Sequence, residues 1–283
     1  VITGSPPALQ LYTVRELLPA ARREVLASIA AIGYGAVEPF GILSDTAGLA
    51  GDIAAAGLAC CAVHATPEGE DAEAVIAAAG LLGTDTVVVP YLAPARFADE
   101  DAVRAVAADL TSMAGRLAAR GMRLGYHNHD FELASLIGGR PALEVLADSL
   151  GDRVLLEVDT YWAAVGQAAA GGPDDGSGVP DLLRRLAERV RYLHVKDGPI
   201  TRDDPMTAVG AGRMPVADIL AACPSAQWHV VELDRCATDM LTAVGESLSW
   251  LAAAGLATPV TRIHERPEAR PPARQAASGN GAR

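Results

Sequence analysis

Short runs of β-branched and apolar residues alternate along this chain with longer Ala- and Leu-rich stretches of helical spacing. The strand-like runs are 9–14, 36–39, 59–64, 86–90, 123–127, 154–159, 190–195 and 228–233. Between them, apolar residues recur every three or four positions over 20–32, 72–82, 102–120 and 182–189, and a last helix is predicted at about 240–254. That period lays one apolar stripe along each helix. Gly33, Gly57, Gly83, Gly121 and Gly151 each follow a helical stretch shortly before a strand. Glycine adopts the left-handed conformation at a helix end at little cost, so these five read as helix stops that feed strands. Eight successive βα units imply parallel strands with helical crossovers. Their number favours a closed (β/α)8 TIM barrel over an open doubly wound sheet, and the strands lack the GxGxxG turn of a dinucleotide fold.

Two segments break the rhythm. Residues 166–178, rich in Gly, Ala and Asp, read as a flexible insertion after the sixth strand. Residues 258–283 are rich in Pro, Arg, Gly and Ala without an apolar period, the composition of a disordered tail. A single α/β barrel domain is therefore expected over 1–257, with a disordered tail over 258–283.

Composition narrows the partners. Half the residues are hydrophobic and only 4% aromatic, so the core must rest on Ala, Val, Leu and Ile. A net charge of −12 opposes the phosphate neutralisation on which nucleic-acid binding depends. No apolar run reaches the ~18 residues of a membrane-spanning helix, and the N-terminal stretch lacks the basic-then-apolar pattern of an export signal. A cytoplasmic protein with no nucleic-acid or membrane partner is expected. Cys60, Cys61, Cys223 and Cys236 form no CxxC pair and are expected to be reduced, packed as small hydrophobes.

In a barrel of this kind reacting groups sit at the C-terminal ends of the strands, and polar residues inside a strand are costly unless used. Glu38 ends the second strand, His64 the third, His127, Asn128 and His129 the fifth, Glu157 and Asp159 the sixth, His194, Lys196 and Asp197 the seventh, and Glu232 and Asp234 the eighth. Two imidazoles and two carboxylates converging on one mouth suit a divalent cation with N/O ligands, hence Mn, Mg, Co or Zn. The set chosen is His127, Asp159, His194 and Glu232, with His129 the alternative ligand on the fifth strand. Glu157 has period-two spacing with Asp159 and reads as an interior or ion-paired group. Lys196 and Asp197 read equally as a mutual ion pair.

These motifs resemble the sugar phosphate isomerase/epimerase family of the xylose-isomerase-like TIM barrel superfamily. The segments that carry the resemblance are Tyr126-His127-Asn128-His129-Asp130-Phe131-Glu132, Glu157-Val158-Asp159-Thr160-Tyr161-Trp162, Leu193-His194-Val195-Lys196-Asp197 and Val231-Glu232-Leu233-Asp234. Leu9-Gln10-Leu11-Tyr12-Thr13-Val14-Arg15 and Gly33-Tyr34-Gly35-Ala36-Val37-Glu38 are similar too, and the likeness covers about residues 8 to 256. It implies one divalent metal ion, usually Mn, with Asp159, His194 and Glu232 in the places of strands six to eight. Strand five departs, because His127 stands where many family epimerases carry a glutamate. Inosose dehydratases have a similar His-rich strand five. Ketose 3-epimerases use two facing metal-bound glutamates, and this chain keeps only Glu232 of that pair.

The resemblance implies an isomerase or epimerase of carbohydrate metabolism acting on a sugar or polyol ketone through a metal-stabilised enediolate. Glu232 is the expected base, its pKa raised by a partly dry site. His129 or Lys196 would return the proton, Glu38, His64 and Asn128 would bind substrate hydroxyls, and Trp162 and Phe40 would pack on a sugar C–H face. The alternative is a dehydratase or lyase of an inosose or 3-keto-sugar at the same site. A non-catalytic sugar-binding barrel comes third, and an endonuclease IV-type enzyme is disfavoured by few histidines and an acidic body. Oligomeric state is left open, the exposed barrel helices being the surface on which a homo-oligomer would pair.

Overall fold

The computed structural model describes residues 7–260. The tail expected over 258–283 lies outside the described residues from 261 onward. Among its first residues, the Val260 N–H donates to the Gly33 carbonyl at 2.8 Å.

Eight strands run parallel: β1 (Ala8–Gln10), β2 (Ala36–Glu38), β3, β4 (Thr86–Val89), β5 (Arg123–His127), β6 (Val154–Asp159), β7 (Val190–Val195) and β8 (Trp228–Val231). β3 is broken into Ala59–Cys60, which pairs with β2, and Val63–His64, which pairs with β4. The hydrogen-bonded order therefore starts at the first piece of β3, passes through β2, β1, β8, β7, β6, β5 and β4, and ends at its second piece. Only Cys61 and Ala62 separate the two pieces, so they close the ring. Across this seam the Cys61 N–H donates to Val37 O (3.0 Å), His64 N–H to Pro39 O (2.8 Å) and Ala65 N–H to Val88 O (3.0 Å).

The lumen shows how a sequence poor in aromatics fills a barrel. Ala8, Ala36, Cys61, Ala62, Val88, Tyr192 and Val230 form a small cluster of their own, apart from the large core between strands and helices. Tyr192 is the bulky member, its hydroxyl bonded to Cys61 O and Thr86 Oγ1, both at 3.2 Å. Side chains two positions apart share a strand face. Two residues beyond Ala8, Ala36, Ala62, Gly125, Tyr192 and Val230 come Gln10, Glu38, His64, His127, His194 and Glu232. The apolar layer is thus the floor, and the polar residues are the next layer up.

Several local expectations are corrected. The run 9–14 is not all strand: Leu11–Val14 is a 3-10 turn, because the Gln10 side chain accepts the Tyr12 N–H and bends the chain out of the sheet. Gly33, Gly57, Gly83 and Gly121 take positive φ as expected of helix stops, but Gly151 does not. The helix Ala142–Ser149 ends on extended Leu150 instead. Gly151 is small for contact, since a Cβ there would meet Thr111 Cγ2 at 2.8 Å.

The segment expected as a flexible insertion, 166–178, begins as ordered helix: its first four residues end the helix Thr160–Ala169. Its glycine was misleading, because Gly166 serves close packing. A Cβ there would lie 2.1 Å from the Asp130 carbonyl oxygen and 2.7 Å from Leu133 Cβ. Gly166→Ala is expected to push this helix off the segment after β5 and to cost about 1–3 kcal/mol in a denaturant melt. That segment holds two features not anticipated: the short helix Phe131–Ala134, and a hairpin of Leu136–Ile137 with Arg140–Pro141 turned by Gly138-Gly139, both at positive φ.

Candidate active site

The layer above the floor is almost wholly buried and ionisable. Glu38, Asp159 and His194 are 0% exposed, Glu157 and Lys196 1%, His127 3% and Glu232 5%. Burial at that density is tolerable only if charges are paired or hold a cation. His127, Asp159, His194 and Glu232 each present a ligand atom, and these atoms lie within 4.8 Å of one another. A second quartet, His64, His127, Glu157 and His194, meets the same limit one step deeper.

Asp159 illustrates how the sequence builds the site. It ends β6 and caps the following helix, its Oδ1 accepting the Trp162 N–H at 2.8 Å. Its own N–H donates to Asn128 Oδ1 at 3.0 Å. The remaining oxygen, Oδ2, points into the cluster. It lies 3.8 Å from His127 Nε2 and 3.0 Å from Lys196 Nζ, but has no aligned hydrogen-bond donor among the described residues. His194 spans the two quartets. Its Nδ1 is 2.7 Å from Glu232 Oε2, while its Nε2 lies 2.7 Å from Glu38 Oε2 and 2.8 Å from Glu157 Oε1. His64 Nε2 bonds Glu157 Oε2 at 2.8 Å.

Two imidazoles and two carboxylates are donors that a divalent cation takes, and the ion would displace the proton that Glu157 and Glu232 hold on His194 against its burial. Burial, and then the neighbouring His194, hold His127 well below the usual imidazole range, so it is neutral, as a ligand must be. Burial pushes Asp159 up to about 6 against the opposing Lys196. Burial also pushes Glu232 upward, but Lys196 and His194 outweigh it and hold the carboxylate well below its ordinary range. The expectation of a raised Glu232 pKa is therefore corrected. His129 falls to about 4 through burial and the nearby Lys196, so its imidazole is neutral at neutral pH.

Other expectations sort by position. A cavity of about 640 Å³ lies above the cluster, and His64, His127, His129, Trp162, Phe40, Lys196 and Glu232 reach it. Glu38 and Asn128 do not line it. Glu38 is turned away from the cavity, bonded to Gln10 Nε2 at 2.9 Å, and Asn128 is turned to the backbone of Asp159 and His129. Neither is placed to bind substrate hydroxyls. Lys196 and Asp197 do not pair with each other. Lys196 faces Asp159, Glu232 and Asp234, while the Asp197 carboxylate accepts four backbone N–H groups, from Gly198, Gly210, Gly212 and Met214. The reading of strand ends missed Tyr12, Arg15, Tyr91 and Arg235, which also line the cavity. Pro90-Tyr91, directly after β4, was the available signal.

Glu132, the last residue of the strand-five segment, holds the loop after β5. It is fully buried, accepting the Tyr126 hydroxyl at 2.5 Å and the His129 N–H at 2.9 Å. Burial pushes its pKa up to about 8 from an ordinary 4.5. The folded chain thus keeps a proton that the unfolded chain has released. Stability from this group is complete below about pH 4.5 and is lost as pH rises through about 8. Glu132→Gln, which mimics the protonated form, is expected to flatten the fall of melting temperature over that window.

The comparisons agree with this architecture. Residues 26–254 match the xylose isomerase-like TIM barrel family, and the chain belongs to it. No curated protein matches in sequence. A sugar phosphate isomerase/epimerase from Parabacteroides distasonis superposes with TM-score 0.73 at 22% identity, over 90% of this chain and 96% of that one. The probable 3-DHS dehydratase AsbF of Bacillus anthracis, involved in petrobactin synthesis, gives 0.66 at 11% identity, over 87% and 98%. A xylose isomerase-like TIM barrel protein from Mycobacterium smegmatis, in complex with magnesium, gives 0.62 at 13% identity, over 90% and 99%. No helix among the described residues is long and apolar enough to cross a membrane.

Proposed function

We propose that this chain is a metal-dependent isomerase or epimerase of a sugar or polyol ketone. The observation that carries the reading is the convergence of His127, Asp159, His194 and Glu232 at the base of an aromatic-walled cavity. Those four residues would hold one divalent ion, with manganese the first candidate and Mg, Co or Zn the others. A magnesium complex and a zinc-bound IOLI protein among the structural relatives support a cation in this fold. When bound, the cation supplies Lewis acidity toward a substrate carbonyl.

The chain's own groups do the rest. Glu232 is ionised and reaches the cavity, so it can accept a proton from the carbon next to the carbonyl. Lys196 keeps its charge, because Asp159, Asp234 and Glu232 outweigh the burial that opposes it, and from the cavity wall it can stabilise negative charge developing on a bound substrate. His129 is neutral, with Nδ1 unpartnered among the described residues, and can exchange hydrogen bonds with a hydroxyl. His64 offers the second imidazole at the cavity. Trp162 presents its ring, its Nε1 fixed to Asp234 Oδ2 at 3.1 Å. Phe40 is braced edge-on by Tyr12, centroids 5.3 Å apart. Such faces suit the C–H side of a sugar ring.

Loss of a β-hydroxyl after the same proton abstraction is the second reading. The observation favouring it is strand five, where neutral His127 replaces the carboxylate a two-carboxylate epimerisation needs. The relative that is a probable dehydratase supports it. Incubating manganese-loaded protein in heavy water with ketoses, inososes and 3-keto-glycosides, followed by NMR, separates the outcomes. Deuterium entering the α-carbon with isomer formation supports the first reading, and an unsaturated product the second. No exchange and no product across the panel would sink both.

A further inference from the structure

Lys196 raises a question that the catalytic reading leaves open. Its ammonium lies 3.0 Å from Asp159 Oδ2 and 2.7 Å from Glu232 Oε2, oxygens of the two carboxylates in the outer quartet. It is 1% exposed, so bulk water does not screen it. A divalent ion and an ammonium cannot share two oxygens at such distances without strong repulsion. The third contact differs. Asp234 Oδ2, 2.8 Å away, belongs to neither quartet, and the Asp234 side chain is 23% exposed at the cavity. The Trp162 ring lies on that side too, its centroid 5.7 Å from Nζ.

We infer that Lys196 is a built-in counter-cation, which holds Asp159 and Glu232 together in the metal-free chain and yields its place to the incoming ion by moving onto Asp234. The inference rests on the metal-dependent reading above. It makes loading an exchange of one cation for another, with no net exposure of buried carboxylate. It also makes Asp234 a positioning residue: its charge keeps the displaced ammonium at the cavity wall, beside Trp162. Lys196 thereby sets both the affinity for the ion and the stability of the chain without it.

The test is calorimetric titration of the purified, chelator-stripped full chain with manganese, with melting temperatures measured before and after loading. Lys196→Met is expected to bind manganese on the order of tenfold or more tightly than the wild type, because a competing charge is gone. Its metal-free melting temperature should fall and its rise on loading should be larger. Asp234→Asn in the wild-type background should weaken binding, since Lys196 has lost its alternative partner. In the Lys196→Met background the same change should have little effect, and that non-additivity reports the coupling. If Lys196→Met does not accumulate without metal, Lys196→Gln carries the same comparison with a hydrogen-bond donor retained. Wild type and Lys196→Met binding one ion equally would overturn this inference and leave the metal-dependent reading standing. A wild type that binds none, beside a Lys196→Met chain that binds one, would support Lys196 as the occupant and overturn the metal-dependent reading. Silence from both chains would overturn both.

Discussion

Asp159→Asn is expected to lower turnover on the order of a thousandfold while leaving the fold intact. The side chain divides its duties between its two oxygens. Oδ1 caps the helix Thr160–Ala169 through the Trp162 N–H, and Oδ2 faces the cluster. Asparagine can keep the cap with its carbonyl oxygen and turns an amide nitrogen, a poor ligand, toward the cluster. A bound cation contributes several kcal/mol of transition-state stabilisation, and about 4 kcal/mol corresponds to that rate loss. The check is paired: manganese content and turnover should collapse together while circular dichroism stays near wild type, and the metal-free melt should fall, because buried Lys196 loses the charge of one partner. A variant that keeps its metal and its rate would remove Asp159 from the site.

Asp197→Ala should produce the largest loss of stability, about 3–5 kcal/mol, or a fall of roughly 10 °C in melting temperature. The carboxylate is 1% exposed and accepts N–H groups from Gly198 at 2.8 Å, Gly210 at 2.9 Å, Met214 at 3.0 Å and Gly212 at 3.2 Å. Removing it leaves four backbone donors pointing at a void. The loop is closely packed around the carboxylate: a Cβ on Gly212 would sit 2.1 Å from Asp197 Oδ1 and one on Gly210 2.2 Å from the Trp250 ring. The same loop accepts and donates across to the Arg235 and Ala237 backbone through Met206, so its loosening should reach the cavity rim. Melting temperature measured beside the Michaelis constant distinguishes the two effects, the first falling and the second rising. A melt within 2 °C of wild type would show that the loop is held by something else.

The barrel was legible because it is written in periodicity, and periodicity survives without knowledge of neighbours. The quartet was legible for a related reason. His127, Asp159, His194 and Glu232 stand at or next to the ends of four consecutive strands, and strand ends meet at one mouth whatever the loops do. What stayed hidden depends on contacts between distant segments. Glu38 looked like a substrate ligand because it ends a strand, but its carboxylate is spent on Gln10 and His194 within the layer and does not reach the cavity. Gly166 looked like slack because a glycine chosen for flexibility and one chosen for close approach are the same letter; only Asp130 O tells them apart. The low pKa of Glu232 required knowing that Lys196, 36 positions earlier, ends 2.7 Å away. Asn128 sits beside two histidines yet serves the backbone, which spacing alone does not reveal.

The break in β3 means that the ring has a clasp. Every other strand is continuous through its layer, but here closure depends on two two-residue pieces and the peptide link between them. Local opening should therefore begin at this point, and amide hydrogens of Cys61 and Ala65 should exchange with solvent sooner than those of Leu156 or Leu193. His64 is mounted on the clasp, so each opening carries one imidazole away from Glu157 and briefly unlatches the inner wall of the site from below.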